Sequence, residues 1–176
     1  MLFYVEPLNL STQRPVGTRA PLSAGEIVLE ILAAGGCVLC VLIVALSWAS
    51  LPETIPHHID FSGKPNAWGT KKVLWLLPAL ALILYAGMTF VSRYPHRFNY
   101  LVPITEANAF RQYRIARGLL TWLKAEVVFL FAFLEWAIVR VAWGTTETLG
   151  ALTIPVILAL ILATVVVHLV LAYRAR

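Results

Sequence analysis

Charge is scarce in this chain. Only 13% of its 176 residues are charged and nine are acidic, where soluble domains carry about 25% charged residues. Cysteine is nearly absent too. Cys37 and Cys40 share one apolar run, which excludes a disulfide framework or a zinc module and suits small packing residues. A C-x-x-C redox pair is the alternative reading. No phosphate-binding glycine loop, no H-E-x-x-H and no nucleophile–base pair occurs, and no apolar run carries the paired histidines that haem or iron would need. These absences argue against an enzyme and leave no catalytic residue, cofactor or metal to assign.

What the chain has is hydrocarbon. Sixty per cent of the residues are apolar, with a mean hydropathy of +0.79. They come in long runs, near 26–50, 73–92, 125–143 and 151–173, each long enough to cross about 30 Å of bilayer. Backbone groups in lipid must pair within their own segment, and the runs lack barrel-strand alternation, so helices are expected. The expected fold is all-α: an integral membrane bundle of four transmembrane helices, with an amphipathic cytoplasmic helix and an ordered extracytoplasmic loop. Residues 1–24 read as an irregular arm, broken by Pro7, Pro15 and Pro21. No basic stretch precedes an apolar one there, so the first run is expected to serve as an uncleaved insertion signal. Residues 25–176 read as a single domain.

The bases set the orientation. Arg14, Arg19, Arg93, Arg97, Arg111, Arg114, Arg117, Lys124, Arg174 and Arg176 fall at one end of this scheme, and only Lys64, Lys71 and Lys72 at the other. That bias places both termini and the 93–124 loop in the cytoplasm. The same positions suit an anionic lipid surface rather than nucleic acid. Within the loop, Arg111, Arg114 and Arg117 repeat at every third residue of a helix expected from Thr105, with Thr105 or Asn108 as cap.

Local signals add detail. Ser23 and Glu26 fit a capping box at the start of the first helix. Ala33, Gly36, Cys37 and Cys40 form a small-residue stripe suited to close helix packing. Thr70 can cap the second helix, and Pro78 falls where it could kink it. Ionisable residues within the runs are candidates for function. Arg140 can snorkel outward, Glu126 and His168 match in depth and can share a hydrogen bond, and Glu135 falls near the midplane. Tyr85 lies at similar depth and could donate to Glu135. A proton or ligand site and a neutral interhelical hydrogen bond remain alternatives for Glu135.

The least hydrocarbon-like stretch is LPETIPHHIDFSGKPNAWGTKK, residues 51–72. Its prolines and glycines read as successive turns of a compact lid outside the cytoplasm, with Trp68 at the headgroup level. Pro56, His57, His58, Asp60, Gly63, Pro65, Trp68, Gly69 and Lys71 are its candidate binding residues. His57, His58 and Asp60, joined by Glu53 and Glu147, could form an imidazole–carboxylate set. The simpler reading has His58 bonded to loop backbone and His57 facing water.

Pro52, Ile55, Pro56, His58, Gly63, Pro65, Trp68, Gly69, Thr70, Lys71 and Pro78 resemble the pattern of a bacterial membrane domain of unknown function that opens the Sdp-type immunity proteins, which protect against the sporulation-delay toxin. The resemblance continues through YPHRFNY and ITEANAFRQYRIARGLLTWLK, covering about 51–124. Asp60 stands where that family often has Asn, and Ile59 where it has an aromatic residue. The resemblance implies an integral protein of the bacterial cytoplasmic membrane that acts by binding. In that role its partner would be a membrane-active peptide, met in immunity or sensing, whereas the small-residue stripe and the aromatic-rich third run (Phe129, Phe131, Phe133, Trp136, Trp143) suit an accessory subunit bound to other membrane subunits. A proton-coupled transporter or channel component using Glu135 is the alternative.

Overall fold

A computed structural model describes Arg14, Pro15 and residues 21–176. The expected arm of residues 1–24 lies largely outside the described residues. Four helices and one hairpin make up the rest: α1 (Ala24–Ser47), β1 (Thr54–Ile59), β2 (Pro65–Thr70), α2 (Leu76–Val91), α3 (Ala109–Ala142) and α4 (Thr153–Arg174). A 3-10 turn, Lys71–Trp75, leads into α2.

Local chemistry sets the helix ends. Ser23 and Glu26 form the capping box at α1: the Glu26 N–H donates to the Ser23 hydroxyl, and the Ser23 N–H donates back to the Glu26 carboxylate at 2.7 Å. Thr70 accepts from the Lys72 N–H at the head of the 3-10 turn. Pro78 sits in the first turn of α2, where a missing N–H costs nothing, so the 3-10-to-α transition takes the place of the expected kink.

α3 is the axis of the bundle, touching α1, α2, α4 and β1. Its 34 residues span about 51 Å at 1.5 Å per residue. The amphipathic segment expected as a separate helix is nearly the first half of this continuous one. It begins at Ala109, and Asn108 caps nothing in α3: its side chain accepts from the Thr105 N–H and donates to Pro103 O.

α1 and α3 run parallel, because their contacts advance together from Glu26–Arg117 through Lys124–Glu30 to Gly36–Val128. Ala33, Gly36, Cys37 and Cys40 are all buried, so the small-residue stripe is spent inside the bundle. Cys37, Cys40, Ala81, Val128 and Ala132 form its middle core.

Among the described residues, three helical segments are long and apolar enough to cross a membrane: Ala24–Ser47, Lys71–Val91 and Thr153–Arg174. α3 is longer still, but its apolar half carries Glu126, Glu135 and Arg140. α4 has no buried residue and turns Leu158, Leu160 and Leu162 outward, an arrangement suited to hydrocarbon surroundings and not to water.

The all-α expectation needs one correction. The 51–72 loop is a two-stranded antiparallel hairpin, pairing Thr54 with Thr70 and Ile59 with Pro65. Both strands of such a hairpin are edges, so Pro56 and Pro65 can sit where their missing N–H would face outward. Irregular pairing on both sides of His58 hides the period of two in the sequence.

Candidate functional site

The hairpin is fastened at both ends. At its base, Leu51 and Ile55 are buried against Val44, Leu74, Ile138 and Val139. The Lys71 ammonium donates to Trp48 O at 3.4 Å and Leu51 O at 3.3 Å, pairs with Glu53 at 3.0 Å, and lies over the Trp48 ring. α1 has no base in its own last turn. Lys71, 23 residues later, puts its cation at that carbonyl end.

At the tip, Gly63 O accepts from the Leu149 N–H at 2.8 Å. Gly63 has φ of +81°, and a Cβ placed there would lie 2.8 Å from Gly150 O. Gly63→Val is therefore expected to cost about 1–2 kcal/mol from the backbone alone and to push the tip off the α3–α4 loop. Limited proteolysis of reconstituted vesicles checks this, with faster cleavage within 60–66 than in the unsubstituted chain.

Asp60 organises the turn. Its carboxylate accepts from the Ser62 hydroxyl at 2.6 Å, the Ser62 N–H at 2.9 Å and the Lys64 N–H at 3.0 Å. These bonds, the Ser62 hydroxyl foremost, hold its carboxyl below the usual carboxylate range. A depressed folded value means the contribution is complete above the ordinary aspartate range and is lost as pH falls through the lowered one. The protection of the Ser62 and Lys64 amides, measured against the intrinsic exchange rate at each pH, should fall on acidification through that lowered range. In Asp60→Asn, which keeps an acceptor and cannot titrate, the protection should not respond to pH in this way.

The other candidates divide into those that hold the hairpin and those that face outward. Pro56 is buried beneath β1. His57 is exposed, as expected, and its ring lies across Gly69, whose added Cβ would come 2.9 Å from Nδ1. His58 Nδ1 bonds the Asn66 side chain at 2.5 Å, not loop backbone. With Asp60 bound to its own turn and Glu53 to Lys71, the imidazole–carboxylate set is not assembled, and no cluster of three metal-ligating residues occurs among the described residues. Outward face polar side chains, His57, His58, Lys64 and Asn66 among them, and two large aromatic ones: Phe61 is 84% exposed and Trp68 55%. Beneath β1 opens an apolar cleft of ≈ 370 Å³, lined by His57, His58, Leu76, Leu134, Ile154 and Leu158 among others.

A second polar feature runs along the α1–α3 seam. Arg117 Nε pairs with Glu26 at 2.7 Å. Deeper, Lys124 is 2% exposed. It pairs with Glu30, donates to the Thr89 hydroxyl at 2.9 Å and lies over the Tyr85 ring. Tyr85 thus belongs to the Lys124 cluster and does not donate to Glu135. Glu135 is fully buried against the Cys40 thiol, and its oxygens make no other hydrogen bond among the described residues. Glu126 accepts from Thr164, and His168 bonds Thr164 O at 2.8 Å, so those two meet at one threonine rather than each other. Arg140 lies over Trp136 and donates to Thr145 at the helix end. Glu30 and the role of Lys124 were not anticipated. Their signal is spacing, since 26, 30, 33, 37, 40 and 44 follow a four–three repeat on one face of α1.

The family described as "Domain of unknown function (DUF1648)" matches residues 35–82. That span holds the second half of α1, the whole hairpin and the start of α2. It begins and ends earlier than the 51–124 stretch resembling the immunity proteins. An uncharacterized protein of Archaeoglobus fulgidus is 32% identical over 62 residues, 31% of this chain and 34% of that protein. The chain thus matches about a third of that relative's length. No solved structure matches.

Proposed function

We propose that this is a non-enzymatic integral membrane protein that acts by binding, with the 51–72 hairpin as its recognition element. One observation carries the reading: the hairpin is anchored at base and tip, yet it exposes Phe61 and Trp68, and its first strand borders an apolar cleft. A surface held in place loses little entropy on binding, and aromatic residues dominate binding energetics. An amphipathic membrane-active peptide or the flank of another membrane subunit has the matching chemistry. The resemblance to Sdp-type immunity proteins favours an immunity or sensor role, and an accessory subunit of a larger complex is the second version.

In the membrane arrangement we favour, α3 from about residue 125 is a fourth span. Its length, central position and parallel course with α1 support this. Both termini and the 93–108 loop then lie in the cytoplasm of a bacterial cell, and the hairpin and the 143–152 loop outside. Arg14, which donates to His96 O and Phe98 O, ties the N-terminal side to the cytoplasmic loop in this scheme.

Purification from native membranes in mild detergent, with intact-mass identification, separates the two versions. A stoichiometric membrane protein lost on Phe61→Ser/Trp68→Ser identifies an accessory subunit. A chain that purifies alone and binds an added membrane-active peptide, except in that variant, identifies an immunity or sensor protein. Indifference of both readouts to the variant removes the hairpin from the function.

A proton-coupled role remains the competing reading, favoured by the buried carboxyl of Glu135, which meets only the Cys40 thiol among the described residues. Glu135→Gln keeps the shape and removes the titrating proton. Under the binding reading it inserts, folds and binds as the unsubstituted chain does, and reconstituted vesicles take up no protons with either. Uptake abolished by Glu135→Gln would establish the competing reading.

A further inference from the structure

α4 leaves a groove between itself and α1, floored by α3. At the Arg111 end is a cavity of ≈ 670 Å³, lined by Arg111, Arg114, Gly118 and His168 among others. Along the helices it continues into a strongly apolar one of ≈ 690 Å³, lined by Phe129, Leu130, Phe133 and Ile161 among others. Leu29, Leu32 and Trp122 border both, so the two are one channel.

The uncommitted charge at the Arg111 end of this groove is positive. Arg117 turns inward to Glu26 and Pro21 O. Its neighbours in the stripe do not: Arg111 and Arg114 have no hydrogen-bond or ion-pair partner among the described residues, and Arg114 contacts only the Phe110 ring. The one carboxylate at this mouth, Glu26, is already engaged by Arg117 and Ser23. Gly118 faces His168 on the groove floor, where an added Cβ would stand in ordinary contact, 3.6 Å from His168 Nε2.

We infer that this groove is a binding site for one anionic phospholipid, its phosphate held by Arg111 and Arg114 and its acyl chains laid between α1 and α4. Two free guanidiniums offer forked donors to phosphate oxygens, and basic pockets between helices at the cytoplasmic face suit anionic headgroups. Beyond them the lining is apolar apart from Glu126, which accepts from the Thr164 hydroxyl, and Thr153, which donates to Leu149 O, and that length suits methylene chains. The inference rests on the membrane embedding alone and is independent of what the hairpin binds.

The test is native mass spectrometry of the full chain after reconstitution with phosphatidylglycerol or phosphatidylcholine. The expected result is one phosphatidylglycerol retained per chain, and at least tenfold less phosphatidylcholine. Arg111→Gln/Arg114→Gln should lower phosphatidylglycerol retention at least tenfold. Arg93→Gln/Arg97→Gln, which removes bases at the same end outside the groove, should leave it unchanged. Ile157→Trp, filling the apolar part while sparing both arginines, should also lower it. Circular dichroism confirms that each variant keeps its helix content, and a variant that fails this check is replaced by Arg111→Lys/Arg114→Lys, which should retain an intermediate amount. Equal retention of the two lipids, or equal loss in the two arginine pairs, would overturn the site. So would a disulfide between two chains at Leu32→Cys and Ile157→Cys with no lipid bound, because a second copy would then fill the groove.

Discussion

Lys124→Met is expected to destabilise the bundle by about 3–5 kcal/mol, the usual result of removing one partner from a buried ion pair. Lys124 is the buried member, and it ties three helices together: Glu30 of α1, Thr89 and Tyr85 of α2, and α3 itself. Without it, Glu30 keeps a carboxylate facing the seam and the Thr89 hydroxyl loses its donor. Glu30→Leu alone should be costly for the mirror reason. The double substitution Glu30→Leu/Lys124→Met should recover most of the loss, because matched apolar side chains can replace a buried pair at little net cost. Detergent-denaturant titration of the four proteins gives the coupling directly. Additive losses would mean that the two residues do not act as a pair.

Gly36 carries the second large effect. Its α carbon lies so close to α3 that an added Cβ would stand 2.6 Å from Val128 Cγ1. Gly36→Ala is expected to cost about 1–3 kcal/mol, the range for overpacking a tight core, and Gly36→Leu more. Val128→Ala should relieve part of the Gly36→Ala penalty by vacating the contested volume. Gly35 supplies the contrast. Nothing lies within 4 Å of a Cβ there, so Gly35→Ala should be neutral or stabilising by up to about 1 kcal/mol through helix propensity. The same titrations, with thermal unfolding in one detergent, distinguish neighbouring glycines that differ only in which way they face.

Much of this packing was legible in the sequence, and the limits have physical causes. Ala33, Gly36, Cys37 and Cys40 announced a close-packed face, and Ser23–Glu26 a helix start, because both depend on spacing within one helix. Glu30 went unnoticed because a single acid scarcely interrupts a run of apolar residues. Its meaning depends on Lys124, which lies 94 residues away. The pairing of Tyr85 with Glu135 failed for a related reason: equal depth does not mean equal azimuth, and Tyr85 faces Lys124. In the hairpin, proline and glycine imply turns, while the strands between them are short and irregularly paired around His58, so turn chemistry was visible and β-pairing was not. Lys71 shows the same limit. Its service to the carbonyl end of α1 exists only once the hairpin has folded back.

Photo-cross-linking tests the hairpin's role most directly. A photoreactive phenylalanine analogue is placed in turn at Phe61, Asn66 and Trp68 on the hairpin, and at Leu46 and Ile83 on outward faces of α1 and α2, in cells of the source organism. The expected result is one discrete adduct of the same partner mass from the hairpin positions and none from the helix positions. Adducts of that mass from Leu46 or Ile83, with none from the hairpin, would contradict a binding function centred on residues 51–72.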